Sequence, residues 1–432
     1  MKNNQLSDNF FYRNDKLFCD EHSLSGIAKS YGTPLFVYSE STIENNLKNM
    51  RSEIINKPVD LCYAVKANPS LSLIKIISSL DCGFDVVSGG ELRRVLSAAA
   101  KLKPKIVFSG VGKTIDELDF ALSCGISCIN VESISELKKL NERAKVAHLK
   151  APISIRINPD IDPKTHPYIS TGLRENKFGL SISAGYEAYK LADKLENLKV
   201  IGVDCHIGSQ IIEISPFIDA TEKVLEFVSN LEDLNISIDE INLGGGLGIC
   251  YKSEHPPTAK HFFSTILNKV ELWAHCKNKK TPRITFEFGR SIVGNSGLLI
   301  CKVIHLKETD FGKNFAIVDA AMNDILRPSL YNAYHEVFPL EKREGKQIKS
   351  WDIVGPICES GDWLAKDRLL HIEEGALLAF ASAGAYCSSM SSNYNSRVKS
   401  SEVLVRTAGD VVEIKKRENF HDLINGEYLL DY

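Results

Sequence analysis

The sequence predicts a parallel (β/α)8 TIM barrel followed by an antiparallel β domain that also receives the N-terminal segment. Three observations carry that expectation. Eight short β-rich runs alternate with helix-like stretches between residues 59 and 287. The texture changes after residue 296 to a succession of β segments, and a hairpin-like piece lies near the N-terminus. The expected organisation is residues 1–40 as the segment joining the β domain, 41–296 as the barrel and 297–432 as the β domain.

In chain order, Phe10–Phe36 contains the hairpin-like piece, turning at Asn14-Asp15. The barrel runs are Val59–Lys66, Gly83–Ser88, Lys105–Ser109, Ile126–Val131, Ile153–Ile157, Val200–His206, Glu240–Leu243 and Arg283–Glu287. Most are nearly unbroken Val, Ile, Phe and Cys, as strands buried on both faces of a parallel sheet require. Helix-like stretches separate them, among them Ser70–Ser79, Gly90–Ala99 and Thr114–Leu122. The last opens with Thr114-Ile-Asp-Glu117, a capping box in which Thr and Glu satisfy free helix N–H groups. Eight β/α units over about 240 residues is the arithmetic of a TIM barrel. Beyond it, Gly297–Glu308, Asn314–Ala320, Lys346–Ile357, Ala376–Ala383 and Glu402–Lys416 read as β, the last turning at Ala408-Gly409-Asp410.

Composition narrows the function classes. Lys plus Arg is 52 and Asp plus Glu 55 in 432 residues, a net charge of −3 that leaves no electrostatic footprint for nucleic acid or an anionic membrane. A hydrophobic fraction of 44% excludes wholesale disorder. The eleven cysteines are scattered, odd in number and without a C-x-x-C pair, which argues against a structural metal site or a disulfide framework. With no signal-like h-region and no apolar run near ~20 residues, a cytoplasmic protein is expected.

Chemistry in a TIM barrel sits at the C-terminal strand ends. Here those ends read Lys66, Asp85 with Ser88, Ser109, Arg156 with Asn158, His206, Gly244–Gly246, and Glu287 with Arg290. That concentration exceeds what ordinary loops supply. Lys66 closes an apolar strand, where lost hydration lowers an amine's pKa toward nucleophilic use; a lysine simply emerging into solvent is the plainer alternative. Gly244-Gly245-Gly246 lets backbone N–H groups approach a phosphate, or is merely a tight turn. Gly110-Val111-Gly112-Lys113-Thr114 resembles the end of a P-loop, but Val107 stands where its first glycine belongs, so it reads as a turn and helix cap. Glu287 and Arg290 pair a carboxylate with a guanidinium able to grip an anion, or form an ordinary ion pair.

Ten segments in order resemble one family: YAVKANP (63–69), FDVVSGGEL (84–92), FSGVGKT (108–114), KTHPYISTGLRENKFG (164–179), HIGSQI (206–211), NLGGGLGI (242–249), EFGRSIVGNSG (287–297), MNDILRPSLYNAY (322–334), CESGD (358–362) and GAYCSSMSSNYNSR (384–397). The chain resembles the fold-type-III pyridoxal-phosphate (PLP) decarboxylases of the alanine-racemase-like superfamily, and among them the diaminopimelate decarboxylases. Two positions depart from the pattern: Phe288 replaces the usual Pro and Cys387 the usual Gly.

The resemblance implies PLP as cofactor and decarboxylation of meso-2,6-diaminopimelate to L-lysine. It implies that Lys66 carries PLP, His206 stacks on its ring and Glu287 pairs with the protonated ring nitrogen. Asp85 would orient Lys66 or His206. Gly244, Gly245, Gly246, Glu287, Gly289 and Arg290 would surround the phosphate, with hydroxyls from Ser209 and Tyr386. Cys358, a weakly acidic thiol, would return a proton to the substrate carbon. Arg290, Arg327, Tyr331 and Tyr386 would meet the substrate's distal carboxylate and Glu359 its distal ammonium. The family also implies a homodimer with shared active sites, the CESGD loop coming from the partner. No metal is expected. Decarboxylation of ornithine, arginine or carboxynorspermidine on the same fold is the rival activity, disfavoured by Arg327, Tyr331 and Glu359. A PLP-binding relative without catalysis would be expected to lack Lys66, Glu287 or Cys358.

Overall fold

The computed structural model describes residues 6–99, 101, 105–163, 165–169, 171–173, 175–342 and 348–430. Lys164, Ser170 and Arg174 of the KTHPYISTGLRENKFG segment, and Lys346 and Gln347 of an expected strand, lie outside them. The chain forms two compact units. One comprises residues 46–249 and 255–292; the other comprises 1–45, 250–254 and 293–432.

The first unit is the barrel. Its strands are β1 (Val59–Ala64), β2 (Gly83–Val86), β3 (Ile106–Phe108), β4 (Cys128–Val131), β5 (Ala151–Asn158), β6 (Leu198–Asp204), β7 (Glu240–Asn242) and β8 (Arg283–Phe288). All pair in parallel in that order, and β8 closes onto β1 through Glu287 opposite Cys62 and Phe288 opposite Tyr63. A helix occupies each interval from Leu71–Ser79 to Ala259–Cys276 among the described residues. The capping box at Thr114 forms as expected, and Glu117 also accepts the Gly89 N–H at 2.7 Å, tying two helix starts together. A two-residue strand, Leu180–Ser181, adds to β5 outside the closed ring.

The second unit is a mixed sheet rather than a purely antiparallel one. Leu35–Ser39 pairs antiparallel with Gly297–Glu308 but parallel with Ser401–Val405, and Asn314–Val318 pairs parallel with Lys349–Val354. Leu35–Ser39 is buried at all five positions, so it enters as an inner strand. This is how the N-terminal segment joins the sheet. The Asn14-Asp15 hairpin instead builds a small sheet of its own, Phe10–Arg13, Lys16–Cys19 and His22–Ser23, and both turn residues adopt positive φ. Trp363–Leu370 is an unanticipated edge strand. No helix among the described residues is long and apolar enough to cross a membrane.

Candidate active site

Lys66 sits one step beyond its strand. β1 stops at Ala64, and the 3-10 turn Val65–Ala67 carries the lysine at the barrel's C-terminal rim. Asn68, restricted by Pro69, turns extended, and the Tyr63 hydroxyl donates to its carbonyl at 2.9 Å. Lys66 Nζ donates to Asp85 Oδ2 of β2 at 2.9 Å; that carboxylate is fully buried while the lysine side chain is 36% exposed. Asp85 Oδ1 has no hydrogen-bond partner among the described residues.

Of the two partners expected for Asp85, Lys66 is the one it holds. His206, after β6, engages elsewhere: its Nδ1 accepts the Gly245 N–H at 3.1 Å. Burial, followed by the charges of Arg156 and Lys66, holds its pKa well below the usual imidazole value. The ring is therefore neutral, with its proton on Nε2.

The glycines after β7 are there because the loop runs against its neighbours. A Cβ on Gly245 would stand 1.9 Å from the Glu287 carbonyl oxygen, and Gly244 and Gly246 adopt φ of 64° and 107°. Gly289 packs against the lysine turn, its missing Cβ 2.9 Å from that of Ala67. Arg290 Nη2 donates to Ser209 Oγ at 3.1 Å, and Ser291 Oγ is buried without a partner among the described residues.

Glu287, the penultimate residue of β8, is buried. Its Oε1 accepts from Asn242 Nδ2 at 2.5 Å, while Asn242 Oδ1 accepts the Gly244 N–H at 2.9 Å. Burial first, then the Asp85 and Asp204 carboxylates, push its pKa well above the carboxylate range. Asn242 was not anticipated; an asparagine before glycines reads as turn chemistry. A second unanticipated feature is the ion cluster inside the barrel. Arg156 donates to Glu132 at 3.0 Å and lies 3.9 Å from Asp204, whose pKa burial pushes up to about 7 against the pull of Arg156. Glu132 also accepts the N–H groups of Gly110 and Gly179, both at 3.0 Å.

Two ambiguities resolve. Lys113 is buried and donates to Gly110 O, Asn130 O and Glu136 at 2.6–2.8 Å, so the P-loop-like stretch is a structural turn. Phe288 stacks on Phe286 at 5.6 Å and meets Phe262 edge-on, so its side chain belongs to the packing between β8 and helix Ala259–Cys276.

The sheet unit carries the remaining expected residues. Arg327 opens the helix Arg327–Tyr331, is 4% exposed, and lies over the Tyr251 ring at 4.5 Å. Its Nη1 donates to His335 Nε2 at 2.7 Å, which leaves His335 Nδ1–H to donate to Ala381 O at 2.8 Å. Neither Tyr251 nor His335 was anticipated beside it. Tyr331 ends the same helix, half-buried. Tyr386 holds φ 57°, a strained conformation for an aromatic residue. Cys387 is buried, directing its thiol at Ala385 O. Cys358 and Glu359 are exposed.

Residues 40–294 match the family described as the pyridoxal-binding domain of pyridoxal-dependent decarboxylases. The chain is 47% identical to the diaminopimelate decarboxylase of Pseudomonas aeruginosa over 98% of its own length and 99% of the relative's. It is 46% identical to that of Vibrio cholerae, over 96% and 98%. Among solved structures, the diaminopimelate decarboxylase of M. jannaschii in co-complex with L-lysine superposes with a TM-score of 0.92 at 39% identity, covering 98% of both chains. With this barrel, this strand-end lysine and these full-length matches, the chain belongs to the diaminopimelate decarboxylase family of carboxy-lyases.

Proposed function

We propose that the chain decarboxylates meso-2,6-diaminopimelate to L-lysine and CO2, the last step of lysine biosynthesis, using PLP in the cytoplasm. The observation that carries the reading is the contact of Lys66 Nζ with the buried Asp85 carboxylate at the barrel rim, beside Glu287 and the glycine loop. The residues fit the cofactor. Asp85 Oδ1 and Ser291 Oγ are buried without partners among the described residues, and the glycine loop keeps side chains off the rim.

Lys66 would hold PLP through its amine, Asp85 keeping that amine oriented and supplying a nearby negative charge. His206, neutral and fixed through Nδ1, offers a flat face without adding charge. Glu287, aligned by Asn242, would pair with the ring nitrogen. Gly244–Gly246, Gly289, Arg290, Ser209 and Tyr386 would surround the phosphate. When bound, PLP supplies an electron sink for the charge left as CO2 departs.

The chain's other residues sort substrate and proton. Arg327, Tyr331, Arg290 and Tyr386 would take the distal carboxylate, and Glu359 the distal ammonium. Cys358 Sγ would return a proton to the decarboxylated carbon. Cys358 and Glu359 would serve the partner's barrel in a two-fold homodimer. Borohydride reduction of the PLP-loaded protein, followed by peptide mapping, should label Lys66. Labelling at another lysine would overturn the assignment.

A further inference from the structure

The loop bearing Cys358 and Glu359 is anchored at both ends by its own chain. Asp362, 3% exposed, accepts the Met322 N–H at 2.7 Å and the Ile357 N–H at 2.8 Å, and Ser329 Oγ donates to Gly361 O at 2.7 Å. These bonds fix the ends of the loop but leave Cys358 and Glu359 at its exposed tip.

A second loop reaches that tip. Asn395 Oδ1 accepts the Cys358 N–H at 3.2 Å. The second loop is held in turn by Asn323, 5% exposed, whose Nδ2 donates to Tyr394 O at 2.8 Å and Ser392 O at 3.3 Å. The Ser392 N–H returns a bond to Asn323 O at 3.1 Å. Asn395 and Ser396 both hold positive φ, 55° and 54°. Consecutive left-handed residues without glycine are costly, and asparagine is among the few side chains that tolerate the conformation. Here the strained geometry is what points the Asn395 amide at Cys358.

We infer that Asn395 is a positioning residue for Cys358. The inference rests on the proposed role of Cys358 as proton source. Two variants separate the effects. Asn395→Gly accepts positive φ without strain, so it folds, but lacks the acceptor. Asn395→Asp keeps both the conformation and an acceptor oxygen.

On the PLP-loaded enzyme with meso-diaminopimelate, Asn395→Gly should lower kcat by about threefold to tenfold, the worth of one hydrogen bond, with KM nearly unchanged. It should also alter the iodoacetamide alkylation rate of Cys358, read by peptide mapping because Cys276 is exposed too. Asn395→Asp should restore both. Wild-type kcat and alkylation in Asn395→Gly, or equal impairment of the Gly and Asp variants, overturns the inference. Cys358→Ala distinguishes the two levels. If it retains full kcat, the proton-source role itself fails; if it is inactive while Asn395→Gly is normal, only the positioning role fails.

Discussion

Asn242→Ala should destabilise the barrel by about 3–5 kcal/mol. The side chain is 2% exposed and makes two bonds with different consequences. Losing the 2.5 Å bond to Glu287 removes a partner from a buried carboxyl group, worth about 1.5–3 kcal/mol. Losing the 2.9 Å bond leaves the Gly244 N–H buried and unpaired, about 1–3 kcal/mol more. Full additivity is not expected, because Glu287 N–H also bonds Gly244 O and the two ends can shift together. Equilibrium urea unfolding of the cofactor-free protein, followed by circular dichroism, reads the change. Asn242→Asp separates the bonds: it keeps the acceptor for Gly244 but sets a second carboxylate against Glu287, so one of the two must stay protonated. A carboxyl held above its unfolded pKa stabilises below that value and loses the contribution as pH rises. The Asp variant should therefore approach wild type at pH 5 and fall behind at pH 8. An Asn242→Ala protein within about 1 kcal/mol of wild type would refute the reasoning.

Three further outcomes follow from the geometry. Asp204, at about 7 in the fold and ~3.9 unfolded, contributes stability at low pH that is lost as pH rises through 7. His206, held neutral, acts oppositely below ~6.5, so the stability difference between wild type and Asp204→Asn isolates the carboxyl; a difference independent of pH from 5 to 8 would contradict the shift. Arg327→Ala should weaken diaminopimelate binding by one to two decades, about 1.5–3 kcal/mol, with little change in PLP affinity, and an unchanged substrate affinity would remove Arg327 from the site. Lys66→Ala and Cys358→Ala homodimers should each be nearly inactive, yet re-associated mixtures should regain about a quarter of wild-type activity, because half the dimers are mixed and one of their two sites is intact. Demonstrated hybrids with no recovery would contradict shared sites.

The barrel was legible because its strands are buried on both faces and so read as continuous apolar runs. All eight lie where those runs stand, shifted by no more than two residues at each end. Lys66, Asp85 and Glu287 were legible as ionisable groups on strand ends, and the structure puts the lysine and Asp85 in contact. What escaped depends on pairings no local pattern encodes. Asn242 gains its meaning only from β8 lying beside β7. Glu132, just past β4, meets Arg156 of β5 and Asp204 of β6 inside the barrel. Trp363–Leu370 escaped because Asp367 sits at φ 55° and the ladder slips near Ile353, breaking the alternation that marks a strand. The hairpin at Asn14-Asp15 was legible from its turn residues, but not the sheet to which it belongs.

The measurement closest to the central claim is product formation. The purified chain, loaded with PLP and given meso-diaminopimelate, should release L-lysine and CO2 in equal amounts and leave ornithine essentially untouched. A folded, PLP-loaded protein that forms neither product, or that turns over ornithine with the higher kcat/KM, would contradict the account.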